Sequence, residues 1–503
     1  MLKYLMGIDI GTSSCKVALF DERGTVVGTA SEEYPVYYPQ SGYVEQNPEE
    51  WWEAVCKATK KCIEKSRIKA KQIVGIGVDG QSWSAIPIDE CGNVLMNTPI
   101  WSDTRSAEIC KQMNDKLGER TIFDLAGNTL QAPYTTGKIL WYKENFPEMY
   151  QNIFKILQSN SFIVYRLTNK ISQDKSQGYG LHCFDMREGE WDKGMCEDLG
   201  IPLKILPEIY ECSEVVGFVT DKAAEQTGLC VGTPVVAGGL DAACGALGVG
   251  VLAEGDTQEQ GGQAGGMSIC CETYQSDPSL ILGYHVVPGK WLLQGGTTGG
   301  GGVMRWIERE LGEAERLKGA TTQENSFDLL TAQAEQVPAG SEGVVFLPYM
   351  SGERSPIWDP NAKGVFYGLD FSKTKGHLIR SAMEGVAYSL RHNLEVAQDA
   401  GSKVKVLRAM GGAANSYLWT QIKTDITGKE VVVPASDTAT TLGAAILAGV
   451  GVGLYKDFEE AISMTTAIKR SHVPDAQTKE IYDKGYEKYL KLYQNLKEMM
   501  KEE

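Results

Sequence analysis

The stretch from Val235 to Gly248 most constrains what this chain can fold into. Val235-Val236-Ala237 is short, apolar and β-branched, as a buried strand is. Gly238-Gly239 then turns the chain sharply, and a run of small residues follows, Ala242-Ala243-Cys244-Gly245-Ala246. Small residues let a helix lie close against a sheet. A strand that ends in glycines and opens a helix is where α/β proteins place phosphates and chemistry. Asp241 is the one carboxylate at this turn. Locally it reads as a helix cap, a task Asp does well, and the rest of the chain must show whether it does more.

A chain of 503 residues is too long for one core, so two domains are expected. The net charge of -16 argues against a nucleic-acid or anionic-membrane surface. It leaves room for an anionic ligand held by backbone N–H groups and Mg²⁺. The twelve cysteines are scattered without a CxxC pair, and there are only five histidines, which suggests neither a disulfide framework nor a zinc site. Reduced thiols and a cytoplasmic location are expected. No signal-peptide core or membrane-spanning run is read in the sequence.

Tyr4 to Ile10 and Lys16 to Phe20 read as paired strands, and Thr25 to Ala30 as a third. The first turn, Asp9-Ile10-Gly11-Thr12-Ser13-Ser14-Cys15-Lys16, gathers a carboxylate, a glycine, three hydroxyls and an amine. Such a set can hold phosphate and a hydrated Mg²⁺, although the same residues also favour a plain hairpin turn. Asn47-Pro48-Glu49-Glu50 starts a helix whose Trp51 and Trp52 belong in a core. Ile73 to Val78 is a buried strand ending in Asp79-Gly80-Gln81-Ser82-Trp83. Polar groups beyond strand ends sit at the mouth of an α/β sheet. Gln81, Asp103 and Arg105 are therefore candidates to grip the hydroxyls of a small polar molecule, with Trp83 stacking on its apolar face. An Asp103–Arg105 pair inside a hydrogen-bonded loop is an equal reading.

Two patterns recur in the same order. A glycine-turn hairpin at 7–20 precedes strand-Gly-Gly-helix at 238–248, and a second hairpin at 258–271 precedes strand-Gly-Gly-helix at 411–422. This echo suggests two α/β halves facing a cleft, with a hinge near 250–256. Closure about such a hinge excludes water, as phosphoryl transfer requires.

These residues resemble the FGGY family of carbohydrate kinases, within the actin-like (ribonuclease H-like) ATPase superfamily. Asp9 to Lys16 is similar to the family's first phosphate turn, and Lys138-Ile139-Leu140-Trp141 to its first signature, with Pro133 a departure. Gly364-Val365-Phe366-Tyr367-Gly368-Leu369 and His377 to Glu384 fit the second signature. Pro348 to Phe366, with Ser-Gly-Glu-Arg and Asp-Pro-Asn-Ala, resembles the xylulokinase branch. The resemblance implies two actin-like domains facing a central cleft. Residues 1–250 would bind sugar and carry the base, and 251–503 would bind nucleotide.

It further implies transfer of the γ-phosphoryl of MgATP to a hydroxyl of a ketopentose such as D-xylulose. Asp241 would be the base. Its place at a helix start is expected to keep its pKa low. Mg²⁺ would be held by Asp9, through water, and by Asp241. Gly11, Thr12, Ser13, Lys16, Gly262, Gln263 and Gly299 would serve the phosphates, and Gly411, Gly412 and Asn415 the adenosine. The partner is then a small sugar or polyol, with no nucleic acid or membrane, and a homodimer is the assembly to test first. Two departures stand out. Gly262-Gln263 replaces the family's Gly-Thr, and Gln81 is followed by Ser82-Trp83 rather than Met-His. Alternatives are a kinase of another sugar or polyol (glycerol, a pentitol, a deoxysugar), or a non-catalytic sugar and nucleotide sensor.

Overall fold

The computed structural model describes residues 2–436 and 438–501. Its N-terminal sheet is built from β1 (Tyr4–Ile10), β2 (Ser14–Phe20), β3 (Val26–Glu33), β4 (Ile73–Gly80), β5 (Val215–Phe218), β6 (Pro234–Val236) and β7 (Gly239–Leu240). The order is β5-β6-β4-β1-β2-β3, with β7 on β4. The C-terminal sheet is built from β8 (Asp256–Gly261), β9 (Gly265–Cys271), β10 (Ile281–Tyr284), β11 (Trp291–Thr297), β12 (Val406–Met410), β13 (Glu430–Pro434) and β14 (Ile468–His472). Its order is β10-β11-β9-β8-β12-β13-β14. In both sheets an antiparallel hairpin leads to a parallel pair, β1–β4 in one and β8–β12 in the other. Two further strands then follow, the first parallel and the second antiparallel.

The sheets confirm a repeat but correct its register. β12 occupies the place of β4, so Gly411-Gly412 is the counterpart of Gly80-Gln81 and not of Gly238-Gly239. The counterpart of α2 (Asp241–Gly248) is α6 (Ala439–Gly451), which follows β13 as α2 follows β6. The first helix, α1 (Pro48–Ser66), starts at Asn47, whose side chain accepts from the Glu49 N–H, and it buries Trp51 and Trp52. Among the helices of the C-terminal half are α3 (Gly301–Leu311), α4 (Ser326–Glu335) and α5 (Tyr417–Thr427).

The two halves meet through α2 and α6. α6 lies on the N-terminal sheet so closely that a Cβ on Gly7 would stand 1.9 Å from the Thr441 carbonyl oxygen, and one on Gly77 1.9 Å from that of Ala444. Gly245 of α2 faces Gln258 of β8 and Met410 of β12. The two helices cross through Gly443, where a Cβ would meet the Cys244 oxygen at 1.8 Å, and Gly248, where it would meet the Ala439 oxygen at 1.9 Å. A split at residue 250 therefore does not separate the packing. One apolar cluster includes Leu5, Ala18 and Phe20 of the first sheet, Ile269 and Leu293 of the second, and both crossing helices.

Gly443→Ala should overpack this crossing and lose about 1–3 kcal/mol or more of stability. Gly412→Ala, where a Cβ meets nothing within 4 Å, should leave it near the wild-type value. Urea denaturation midpoints compare the two.

Candidate active site

The parallel register sets Asp9 beside Asp79, while the hairpin register sets Asp9 beside Lys16. Asp79 in turn lies beside Gly239, two residues before Asp241. A row of Lys16, Asp9 and Asp79 thus crosses the sheet and leads to the start of α2. Asp9 and Asp79 are buried, and one oxygen of Asp9 and both of Asp79 lack a hydrogen-bond partner. Asp9 accepts from the Thr440 hydroxyl at 3.3 Å, which ties α6 to the row, and its other neighbour is the Lys16 ammonium at 3.8 Å.

Asp241 is the first residue of α2, not its cap. Leu240 holds the cap position, and the Asp241 carboxylate accepts from the adjacent Ala242 N–H at 2.6 Å. Its pKa is not low either. Burial, then the nearby Asp9 charge, push it up to about 7, against the smaller pull of the Ala242 N–H and Lys16. Burial likewise raises Asp9, with Lys16 opposing. Asp79 is held well above the carboxylate range by burial and by Asp9 and Asp241. In the sequence alone Asp79 is only the end of a buried strand. Its signal was a carboxylate two residues before Gln81 on a strand of the sheet's centre.

A cavity of about 290 Å³ opens at Asp241. Its N-terminal wall is Thr12, Gln81, Ser82, Trp83, Trp101, Tyr179 and Asp241, and Gln260, Ser268, Gln294, Gly296 and Arg354 face it from the other half. Gln81 donates to Gln46 at 2.7 Å, leaving its own oxygen unpartnered, as is the Gln294 amide nitrogen. Trp101 donates its indole N–H to the Thr12 hydroxyl at 3.0 Å. Trp83 takes a left-handed φ of 60°, a strained backbone for a bulky residue. Buried Lys138 holds it there by donating to the Trp83 carbonyl at 2.6 Å and that of Pro133 at 2.8 Å, and burial drives the Lys138 pKa down to about 7. The Trp83 ring lies 4.3 Å from the Tyr134 ring and 5.8 Å from Tyr179, in space that a Cβ on Gly180 would invade.

Asp103 and Arg105 do not line this cavity. Asp103 accepts from the Val44 N–H at 2.7 Å, and Arg105 pairs with Asp103 at 2.7 Å and Glu45 at 2.8 Å. The guanidinium lies 4.0 Å from the Tyr43 ring centre. The pair closes a buried loop, the alternative reading of these residues.

The second glycine turn is built for close backbone approach. The Gly301 and Gly302 N–H groups at the start of α3 donate to the Gly262 and Gln263 carbonyls at 2.7 and 2.9 Å. A Cβ on Gly302 would meet the Gln263 amide at 2.4 Å, so the Gln263 side chain lies along α3. Gly299 packs on Pro348 and borders neither cavity described here. Gly411 needs its left-handed φ of 85° and sits against the Gly261 oxygen. Beyond it, Gly262, Gly301, Met304, Phe327, Gly412, Asn415 and Ser416 line a second cavity of about 250 Å³ between α3, α4 and the start of α5. In the first turn, Gly11 donates to the Ser14 carbonyl and Ser13 accepts from the Tyr34 N–H.

Two repeated halves, a carboxylate at the mouth of one and a glycine-walled slot in the other define a two-domain α/β phosphotransferase. The comparisons with known proteins agree. Residues 4–248 match the N-terminal domain, and 267–452 the C-terminal domain, of the FGGY family of carbohydrate kinases, and the chain belongs to that family. It is 30% identical over 500 residues to the xylulose kinase of Bacillus subtilis, covering 99% of this chain and 98% of that one. It is 31% identical over 476 residues to a gluconokinase of the same organism, covering 94% and 92%. The crystal structure of the xylulose kinase of Rhodospirillum rubrum superposes with a TM-score of 0.88 at 28% identity, covering 99% and 100%. The protein is a carbohydrate kinase.

An acid with a raised folded pKa binds protons more readily folded than unfolded, so its stabilising effect fades as pH rises above the unfolded value near 4. Asp79→Asn should therefore gain about 1 kcal/mol or more over wild type at pH 8, and the gap should shrink towards pH 4.5. Thermal melts across pH test this.

Proposed function

We propose that the protein transfers the γ-phosphoryl of MgATP to a hydroxyl of a ketopentose, with D-xylulose the leading acceptor. The observation that carries this reading is Asp241, a carboxylate with a pKa near 7 facing a cavity of unpartnered amide groups and aromatic rings. Such a wall suits a molecule rich in hydroxyls. Names of relatives support the same class, and a gluconokinase stands at 31% identity beside a xylulose kinase at 30%, so gluconate belongs in any acceptor panel.

In this reading Asp241 accepts the proton of the acceptor hydroxyl and aims its oxygen. Gln81 grips a neighbouring hydroxyl and Trp83 covers the apolar face. Thr12, with the Gly11 and Ser13 backbone and Lys16, meets the phosphates from one half, and the Gly262-Gln263 turn from the other. Gly412 and Asn415 border the adenosine slot, while Gly411 and Gly299 act by shaping the turns. No group of three or more His, Cys, Asp or Glu among the described residues forms a metal cage. Mg²⁺ needs none, since one or two carboxylates, water and phosphates hold it. The unpartnered oxygen of Asp9, with Asp79 beside it, fits that role, and Asp241 stands near. When bound, Mg²⁺ would neutralise charge on the phosphates. No described helix is long and apolar enough to cross a membrane, and free thiols throughout suit a reducing cytoplasm.

Asp241→Asn should lower kcat about a hundred- to ten-thousandfold with the fold intact. Near-normal turnover on the acceptor panel, followed by coupled ADP release, would overturn the base assignment. The base must be ionised, so kcat/KM of the wild type should fall with acid, half-maximal at about pH 7.

A further inference from the structure

Opposite Asp241, the cavity wall carries a cationic side chain with no acid in ion-pair distance among the described residues. Arg354 lies on the loop that follows the strand Val345–Leu347, and it reaches the acceptor cavity from the nucleotide half. Its backbone is locked. The Arg354 N–H donates to the Glu353 carboxylate at 2.8 Å, and that carboxylate also accepts from the Thr298 N–H at 2.7 Å. The Ser355 N–H donates to the Gly296 carbonyl at 3.1 Å, and the Asn393 amide to the Ser355 carbonyl at 3.1 Å. The guanidinium is laid across Gly296, where a Cβ would stand 3.1 Å from its central carbon. A side chain there would press on the guanidinium.

Of its five N–H donors, one makes a long bond, 3.3 Å to the Thr297 carbonyl. It has no carboxylate within ion-pair distance among the described residues. Arg105, Arg166, Arg380 and Arg391, by contrast, each hold an acid at 3.0 Å or less, and Arg408 has Asp256 at 3.7 Å. The acid beside Arg354 in sequence is occupied by backbone N–H groups instead. A planar fork of donors held in place, enclosed and unpaired at a ligand cavity is the arrangement that receives an oxyanion.

We propose that Arg354 is the oxyanion receptor of the acceptor cavity. Its guanidinium engages negative charge on the acceptor, either the phosphoryl group once it sits on the acceptor oxygen or a carboxylate that the acceptor itself carries. This rests on the kinase reading and deepens it. A neutral acceptor would then enter without using Arg354, and its charged product would use it. An acid acceptor would use it on entry.

The test measures binding to the full-length protein by quenching of its tryptophans, two of which, Trp83 and Trp101, line the cavity. The probes are D-xylulose, D-xylulose phosphate and D-xylonate. In Arg354→Met the Kd for D-xylulose should stay within about twofold, while that for D-xylulose phosphate should rise about ten- to a hundredfold, as loss of a charge-assisted hydrogen bond does. A parallel rise for D-xylonate assigns the carboxylate role as well, and its absence confines the role to the phosphoryl group. Arg354→Lys keeps the charge without the fork and should fall between. Loss of all three probes in proportion in both variants, or no change in the two anionic probes, overturns the assignment. Turnover of the acceptor panel by wild type separates the two readings. A wild type that phosphorylates an acceptor while Arg354→Met binds the anions normally overturns Arg354 alone. A wild type that phosphorylates nothing overturns both.

Discussion

The rest of this structure depends on backbone meeting backbone where α2 crosses α6 and where α6 lies on the first sheet. Gly7, Gly77, Gly248 and Gly443 each stand where a methyl group would overlap a carbonyl oxygen. Without side chains between them, the two helices touch main chain to main chain. That approach puts the first residue of α2, Asp241, next to the ends of β4 and β1. It also puts Thr440, near the start of α6, within reach of Asp9. The acidic row and the helix start are thus one object, fixed by the absence of side chains elsewhere.

The electrostatics follow from this closeness. Three carboxylates with one exposed lysine near them cannot all ionise at little cost. The fold holds their protons at pH values where free aspartates have lost them. Ligands supply what is missing: a cation for Asp9, a hydroxyl proton for Asp241, and an oxyanion for the unpaired guanidinium across the cavity. The unpartnered groups of the two walls are complementary to a polyhydroxylated molecule at one end and to phosphate at the other.

Much of this was legible in the sequence, and the reasons differ by residue. Strand and helix ends around Asp9 and Asn47 were readable because turns and caps are local chemistry. The repeat was readable as two hairpins, but its register was not. A Gly-Gly after a strand looks the same after β12 as after β6, and only sheet order tells them apart. Asp103 and Arg105 could be read equally as cavity residues or as a loop pair, since a polar loop after an apolar run carries no mark of which way it points. Asp79 was hidden because its meaning comes from its neighbour on another strand. Arg354 was visible only as part of a family-like run, and its lack of a counterion is a three-dimensional fact. Asp241 is the first helical residue rather than the cap that its local sequence suggests, since capping is geometry at one residue's precision and sequence places helix ends to within a few.

The exchanged helices bear on how such a chain could be recombined. A chimera joined at the midpoint, near residue 250, would mate one protein's first sheet with another's α6. The contact there is between main chains and has almost no side chains to adjust. A mismatch in helix curvature or in the spacing of glycines could not be absorbed by repacking. Crossovers that move Asp241–Gly248 together with β8 to β12, and Ala439–Gly451 together with β1 to β4, would keep each helix with the sheet it rests on. The unit of inheritance in this architecture is a sheet with its borrowed helix, and that unit is discontinuous along the chain.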